Sequence, residues 1–339
     1  MLNLSSEIGT KFPNKKIVII GDLVADQFLR GTIARVSREA PVFILRHDET
    51  ETLAGAAANA AVNVASLAGN AVLIGAVGKD LNGNALLSKL QASNVNCDFV
   101  IASDKVQTTT KVRVLAGQHY APRQQVIRID YENNAAAAAE IQNKLKENLV
   151  AAANDADAVV VSDYNYGVIN TDIFEIAKNI AAEKNIPLLV DSRFRLKDFP
   201  NATTATPNQD EVEQILGENF NENNCVELCR NLDYEALLVT RGNDGMLLIE
   251  HGKDPIHIDA VGAKEPLDVT GAGDTVIAAY ALGLASGMSF LDSAKIANHA
   301  GGIVVMKRGT ASVSLDELRS SIEKNNGTQA SADAADFRS

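Results

Sequence analysis

Tryptophan is absent from the 339 residues, and aromatic side chains make up only 5% of them, so the 46% apolar content is largely aliphatic. Three cysteines are too few for a disulfide framework. Cys225 and Cys229 stand four apart on an expected helix with no histidine cluster nearby, a spacing that fits buried thiols better than a metal centre. Basic residues are also scarce: 31 Lys and Arg against 43 Asp and Glu give a net charge of −12, which excludes the basic surface a nucleic-acid scaffold needs. It leaves room for anionic substrates, which need only local cations. No apolar run is long enough to span a bilayer, and Met1–Lys16 lacks the apolar core of a signal peptide. A cytoplasmic protein, bound to neither membrane nor nucleic acid, is the expectation. Neither a G-x-x-x-x-G-K-[ST] string nor an H-R-D set occurs, which argues against two common nucleotide-binding frameworks.

What the chain does contain is a regular alternation of strand and helix patterns. Strands are expected at Ile17–Ile20, Val72–Val77, Ala158–Val161, Pro187–Val190, Ala236–Val239 and Met246–Ile249. Helices are expected at 81–93, 135–153, 171–183, 211–216 and 226–232. This rhythm predicts an α/β protein with a mostly parallel sheet and helices on both faces. Two stretches break it. Residues 31–53 and 108–131 alternate charged with β-branched side chains, around Val42-Phe43-Ile44-Leu45, Lys111-Val112-Arg113-Val114 and Val126-Ile127-Arg128-Ile129, with a polar turn over 117–123. They read either as two solvated edge hairpins or as one small sheet over a site. Residues 325–339, rich in Ser, Ala and Asp without periodicity, are expected to be a disordered tail, leaving 1–324 as one domain.

The organising stretch is Asp268-Val269-Thr270-Gly271-Ala272-Gly273-Asp274, ahead of a small-residue helical run from Thr275 to Ser286. Small residues at a helix start leave backbone N–H groups open to an anion, and the helix dipole favours one there. An acid in the next position is poor for merely holding phosphate. It suits a base that takes a proton while negative charge develops beside it. Phosphoryl transfer to a hydroxyl is the implied chemistry, with a plain helix cap as the bland alternative for Asp274.

Other strand ends add polar groups. Gly21-Asp22 and Asp26 follow the first strand, with Asp22 open between turn former and ligand group. Ser162-Asp163-Tyr164 and Asp191-Ser192-Arg193 follow two more strands, and Asn208 with Glu211 opens a helix. Thr240-Arg241-Gly242-Asn243-Asp244-Gly245 reads as a hairpin turn, and Asn298 lies on a small-residue helix face. Ala54-Gly55-Ala56-Ala57-Ala58-Asn59 is either an Ala-rich packed helix or a helix start that lets a ligand approach closely.

The string 268–274, together with Gly55 and Asn59 upstream, resembles the two signatures of the ribokinase (phosphofructokinase-B) family of sugar kinases, and the resemblance covers about Lys16 to Leu318. It implies a three-layer α/β/α sandwich with a β lid that pairs in a homodimer, and ATP and Mg²⁺ as cofactors. By that resemblance Asp274 is the base and Gly271, Ala272 and Gly273 form the anion hole. Asp22, Asp26, Gly55, Asn59, Asp163 and Arg193 are expected at the sugar. Asn208, Thr240, Gly242, Gly245 and Asn298 are expected at ATP, with Glu211 and Asn208 holding Mg²⁺ through water. Ala56 stands where the family has a second glycine, on the expectation that its dihedrals are ordinary helical ones.

Gly21-Asp22, residues 35–42, Ser162-Asp163-Tyr164 and residues 206–208 further resemble the bacterial kinases that convert D-glycero-D-manno-heptose 7-phosphate to the 1,7-bisphosphate for ADP-heptose synthesis. Tyr166 stands where those kinases carry lysine, and Asp191-Ser192-Arg193 where they carry Asp-Pro-Lys. With no H-x-G-H motif in the chain, the adenylyl step is expected to need another protein. A kinase for another sugar or sugar phosphate is the alternative, and a silent nucleotide- or sugar-binding regulator the rival from outside enzymes. The intact acid and the Asn208–Glu211 pair argue against that rival.

Overall fold

The computed structural model describes residues 4–118, 123–132, 138–217, 219–262 and 265–336, with side chains described as far as residue 325. Within it the β-branched run Lys16–Gly21 (β1) lies at the heart of a nine-stranded sheet. Its neighbours are Asn70–Gly78 (β4) and Ala158–Asp163 (β8), both parallel to it. Asn96–Ser103 (β5) closes one edge beside β4. On the other side Leu188–Ser192 (β9), Thr204–Ala205 (β10) and Ala236–Thr240 (β11) continue in parallel, and Met246–Glu250 (β12) and Ile256–Ile258 (β13) turn antiparallel at the far edge. Side chains along β1 divide between two cores: Ile17 and Ile19 face one, Val18 and Ile20 the other. A strand buried on both faces can be continuously apolar, which is why this run shows no alternation.

Against the first face pack Leu4–Lys11 (α1), Ala57–Ser66 (α2), Leu81–Ala92 (α3), Ala272–Ala285 (α8), Phe290–Val304 (α9) and Leu315–Asp336 (α10). The second face is covered by Ala139–Ala152 (α4), Thr171–Lys184 (α5), Gln209–Leu216 (α6) and Glu222–Asn231 (α7). Cys225 and Cys229 are buried on α7, and desolvation pushes each thiol up to about 11, so both are packing residues. Helix α10 continues through residues that read as an aperiodic tail, up to Asp336, while 337–339 lie outside the described residues. The start of the helix expected from residue 135 (133–137) and the centre of the turn expected at 117–123 (119–122) also lie outside them.

The two β-rich stretches form one sheet. Leu23–Val36 (β2) pairs antiparallel with Phe43–Ala56 (β3) and parallel with Thr109–Gly117 (β6), which pairs antiparallel with Gln124–Tyr131 (β7). This four-stranded sheet stands over the C-terminal edge of the large one. It begins earlier than the charge alternation suggested, at Leu23, so Asp26 sits inside a lid strand rather than in a loop after β1. The apolar start of β2 conceals the boundary, because Leu23, Val24 and Ala25 look like more of the main sheet.

Candidate active site

Asp274 lies in the first turn of α8, 4% exposed, at the C-terminal edge of the large sheet. Its carboxylate is braced from two sides. Asn59 Nδ2 donates to Oδ2 at 2.7 Å and the Tyr164 hydroxyl donates to Oδ1 at 3.0 Å. Asn63 Nδ2 donates to Asn59 Oδ1 at 3.2 Å, and Thr275 Oγ1 donates to Asn63 Oδ1 at 3.1 Å. The amide of Asn59 is thereby oriented so that its donor end faces the acid. Burial raises the Asp274 pKa to about 7, with the Asp26 carboxylate adding to the rise and the two donors and Lys111 opposing it. A carboxylate that titrates near neutrality is a serviceable general base.

Gly271 caps α8 at φ 77°, and a Cβ there would lie 2.6 Å from Asn59 Nδ2. Glycine is required here on two counts, left-handed backbone and contact with the side chain that holds Asp274. Gly271, Ala272 and Gly273 all line the cavity in front of Asp274. The Ala272 N–H donates to Val269 O at 3.2 Å, while those of Gly271 and Gly273 have no acceptor among the described residues. The expected anion hole is thus open at two of its three donors.

That cavity, about 610 Å³, runs between the sheet edge and the lid. Of the residues expected at sugar, ATP or metal, Asp26, Arg193, Asn208, Glu211 and Thr240 line it, together with Lys111, Arg113, Arg128, Tyr164 and Asp191. Asp26 accepts from the Arg113 guanidinium and, at 3.2 Å, from Thr310 Oγ1. A Cβ on Gly55 would come within 2.8 Å of Asp26 Oδ2, so that glycine clears space for the carboxylate and does not itself face the cavity. Asn59 too lies behind the cavity wall.

Two further expected sugar residues lie behind it as well. Asp22 accepts from the backbone N–H of Tyr164, Tyr166 and Val168 at 2.8, 3.0 and 3.1 Å, which anchors the loop after β8. Asp163 is buried against Arg195 and accepts from Ser192 Oγ at 2.8 Å. Of the two readings left open for Asp22, the turn-forming one describes its position. Arg35 and Arg38 are exposed near the tip of the β2–β3 hairpin and line neither this cavity nor its neighbours.

The Ala56 expectation needs correcting. Its dihedrals are φ 55°, ψ −135°, far from helical, and it lines the cavity directly before α2. The chain must turn sharply between β3 and α2, and only glycine enters that region without strain. Asn208 and Glu211 form a reciprocal capping box: Glu211 N donates to Asn208 Oδ1 at 2.8 Å, and Asn208 N to Glu211 Oε2 at 2.9 Å. Burial holds the Glu211 carboxyl above its usual range, and burial with repulsion from Glu211 raises Asp191 strongly. Neither carboxylate has an ion-pair partner among the described residues, and such a pair of oxygens beside an anion site fits Mg²⁺.

A second cavity, about 180 Å³, adjoins the first across Thr240, Val269, Ala272 and Gly273. Gly242, Gly245 and Asn298 line it with the apolar Met246, Val261 and Val276. Four of the five residues expected at the nucleotide therefore converge here from β11, the β11–β12 turn and α9. Ala272 and Gly273, directly before Asp274, line both cavities, while Asp274 itself lines the larger one.

Residues 14–318 match the profile described as pfkB family carbohydrate kinase. The chain belongs to this family. Its relatives include the "Bifunctional protein HldE" of Hahella chejuensis, 38% identical over 93% of this chain and 65% of that protein. The protein of the same name from Haemophilus influenzae is 38% identical over 94% of this chain and 65% of its own length. The chain thus spans just under two thirds of these relatives. In fold it is similar to Arabidopsis thaliana ribokinase complexed with ribose and ATP (TM-score 0.68, 20% identity, covering 92% of this chain and 98% of that one). It is similar also to Escherichia coli phosphofructokinase-2 in complex with potassium (TM-score 0.73, 18% identity, 91% and 98% covered). The ribokinase-like sandwich with a small β-sheet expected from the sequence is the fold observed. Sequence reasoning missed the braces of Asp274, namely Tyr164, Asn63 and Thr275, and the lid cation Lys111. Tyr164 was visible within a recognised motif, whereas the pairings of Asn63 and Thr275 exist only once α2 and α8 are packed.

Proposed function

We propose that this carbohydrate kinase transfers the γ-phosphoryl group of ATP to a sugar-phosphate hydroxyl, with D-glycero-D-manno-heptose 7-phosphate as acceptor and the 1,7-bisphosphate as product. The observation that carries the reaction type is the buried, doubly hydrogen-bonded Asp274, titrating near 7 in the larger cavity, directly after the Ala272–Gly273 backbone that lines both cavities. The acceptor oxygen attacks the γ-phosphorus and its proton passes to Asp274. The bond from phosphorus to the β,γ-bridging oxygen breaks, and ADP leaves with the electron pair. The open N–H groups of Gly271 and Gly273 stabilise the charge on the equatorial oxygens. Glu211 and Asp191 would hold Mg²⁺, with Asn208 reaching it through water, and the ion when bound neutralises phosphate charge. Adenosine fits the narrow apolar cavity beside Gly242, Gly245 and Asn298.

Support for an anionic acceptor comes from the cations Lys111, Arg113, Arg128 and Arg193 around the larger cavity. Support for heptose comes from the motifs at 21–22, 35–42, 162–164 and 206–208 and from the 38% identity to the HldE proteins. Tyr166 and Ser192-Arg193 differ from the heptose pattern and favour a second reading, a different phosphorylated sugar. Pairing of two lids into a homodimer is supported by Phe43, Val126, Ile127 and Ile129, all 41–60% exposed on the small sheet. A cytoplasmic location accords with the three free thiols. Steady-state ATP turnover against a panel of sugars with and without a phosphate tests the assignment. If an unphosphorylated sugar is used with equal or better kcat/KM, the acceptor is a plain sugar and the heptose-phosphate reading fails.

A further inference from the structure

We propose that Lys111, carried by the lid strand β6, binds a phosphate oxyanion in the catalytic cavity. This rests on the kinase reading above. Lys111 is 9% exposed, lies between Asp26 and Asp130 in the sheet register, and lines the cavity shared by Asp274 and Gly271–Gly273. Its Nζ stands 6.0 Å from the ring centroid of Tyr164 and 5.6 Å from that of Tyr166. Among the described residues it has neither an ion-pair partner nor a hydrogen-bond acceptor.

An ammonium carries three donors, and burying it without acceptors is costly. The two aromatic faces offset part of that cost. Nearby carboxylates are engaged elsewhere, Asp26 with Arg113 and Thr310, and Asp274 with Asn59 and Tyr164. The other cavity cations differ. Arg113 is committed to Asp26, Arg128 is paired with Asp130, and Arg193 is exposed beside Phe194. Lys111 is therefore a buried ammonium with no direct acceptor; burial, with repulsion from Arg193 and Arg128, pulls its pKa below the usual lysine range, while attraction to Asp26 and Asp130 offsets only part of the fall. The shared chemistry is a phosphate oxygen. Its source is either the phosphoryl group in transfer or a phosphate already on the acceptor. Tyr166 acquires a purpose on this account, since its ring holds the ammonium in place.

The test uses the full chain as Lys111→Met and Lys111→Arg variants, melted with and without inorganic phosphate and assayed with a sugar phosphate and its unphosphorylated sugar. Methionine keeps the length and removes the charge, so the melting temperature of that variant is expected to equal or exceed that of wild type. Phosphate should raise the melting temperature of wild type and of the Arg variant, and leave the Met variant unmoved. A kcat loss of about 10²-fold with both acceptors in the Met variant identifies the transferring group. A rise of about tenfold in KM confined to the phosphorylated acceptor identifies the acceptor's own phosphate. A Met variant that retains the phosphate-induced shift overturns the proposal, whether or not it melts lower. If wild type phosphorylates no sugar at all, the kinase reading fails separately, and the phosphate-induced shift still decides the case of Lys111.

Discussion

The two sides of the catalytic cavity are built differently. On the side of the large sheet, the Asp274 carboxylate is cross-braced: Asn59, Asn63, Thr275 and Gly271 O form a connected set of hydrogen bonds between α2 and α8, and Tyr164 adds a strut from the end of β8. On the lid side, β7 is exposed along its whole length, Lys111 is unpaired among the described residues, and Arg128 is bonded only within its own strand. A base must hold its geometry before substrate arrives, because a small displacement of the proton acceptor forfeits much of the benefit of positioning. A lid that must admit and release a sugar gains nothing from a completed network, and among the described residues its Lys111 is left to meet the ligand's charge. Changes in the braced half should therefore act on kcat and its pH dependence, while changes in the lid should act on assembly and acceptor KM.

The largest effect should come from Asp274→Asn. The substitution is compatible with the braces: the amide oxygen accepts from Asn59, and the amide nitrogen donates to the Tyr164 oxygen, whose hydroxyl rotates. Turnover should fall about 10²–10⁴-fold, the range for losing a general base, with little change in ATP affinity. Stability should move the other way. Because burial raises the folded pKa of Asp274 to about 7 from 3.8, the folded state binds the proton more tightly than the unfolded one, so this acid costs stability progressively as pH rises from about 4 through 7. The Asn variant should therefore gain in melting temperature over wild type at pH 8 and lose that advantage near pH 4. Turnover near that of wild type in the folded variant would remove Asp274 from the mechanism.

Next in size, Phe43→Lys combined with Ile127→Lys places charges on the exposed lid face. If two lids pair, the double variant should sediment as a monomer at micromolar concentration, with acceptor KM raised more than ATP KM. Wild type sedimenting as a monomer would remove the interface from the account. Tyr164→Phe should act more gently. The Tyr164 hydroxyl donates to the ionised carboxylate and so holds the Asp274 pKa down against burial. Without it the pKa rises, activity falls several-fold at pH 7, and it recovers towards pH 9 as the base ionises. A pH profile superimposable on that of wild type would show that the hydroxyl has no influence on the base.

How much of this was legible in the sequence follows the same division. The sheet, its helices and the position of Asp274 were readable, because hydrophobic periodicity and a helix-opening glycine string are local signals. The expected nucleotide residues mostly converge as well, since Thr240, Gly242 and Gly245 occupy one turn and α9 brings Asn298 to it. The sugar residues were less legible. Asp22 and Asp163 carry the right chemistry at strand ends, yet one is consumed by three backbone N–H groups and the other by Arg195 and Ser192, partners visible only in three dimensions. Lys111 was hidden for the opposite reason. In an alternating lid strand a lysine looks solvent-facing, and only the register against β2 and β7 shows that it points into the cavity.

The smallest effect concerns the seam between the two halves, at Ala56. It is the last residue of lid strand β3 and the N-cap of α2, whose first turn carries Asn59. Its backbone occupies φ 55°, ψ −135°, where a side chain crowds its own backbone, at a cost of about 1–3 kcal/mol by comparison with other such residues. Replacing it with glycine relieves that strain but gives the unfolded chain more freedom, a loss of about 0.4–1 kcal/mol. Relief of strain outweighs the lost entropy, so Ala56→Gly should raise stability by about 1 kcal/mol in denaturant unfolding at unchanged m-value. The same substitution removes a methyl group from the wall of the cavity that Asp26 and Tyr164 also line, so discrimination between acceptors of different bulk should weaken while kcat for the best acceptor holds. A loss of stability on Ala56→Gly would mean that the turn between lid and helix is not strained as its dihedrals indicate. A gain in stability with acceptor preference unchanged would confine the role of Ala56 to the backbone.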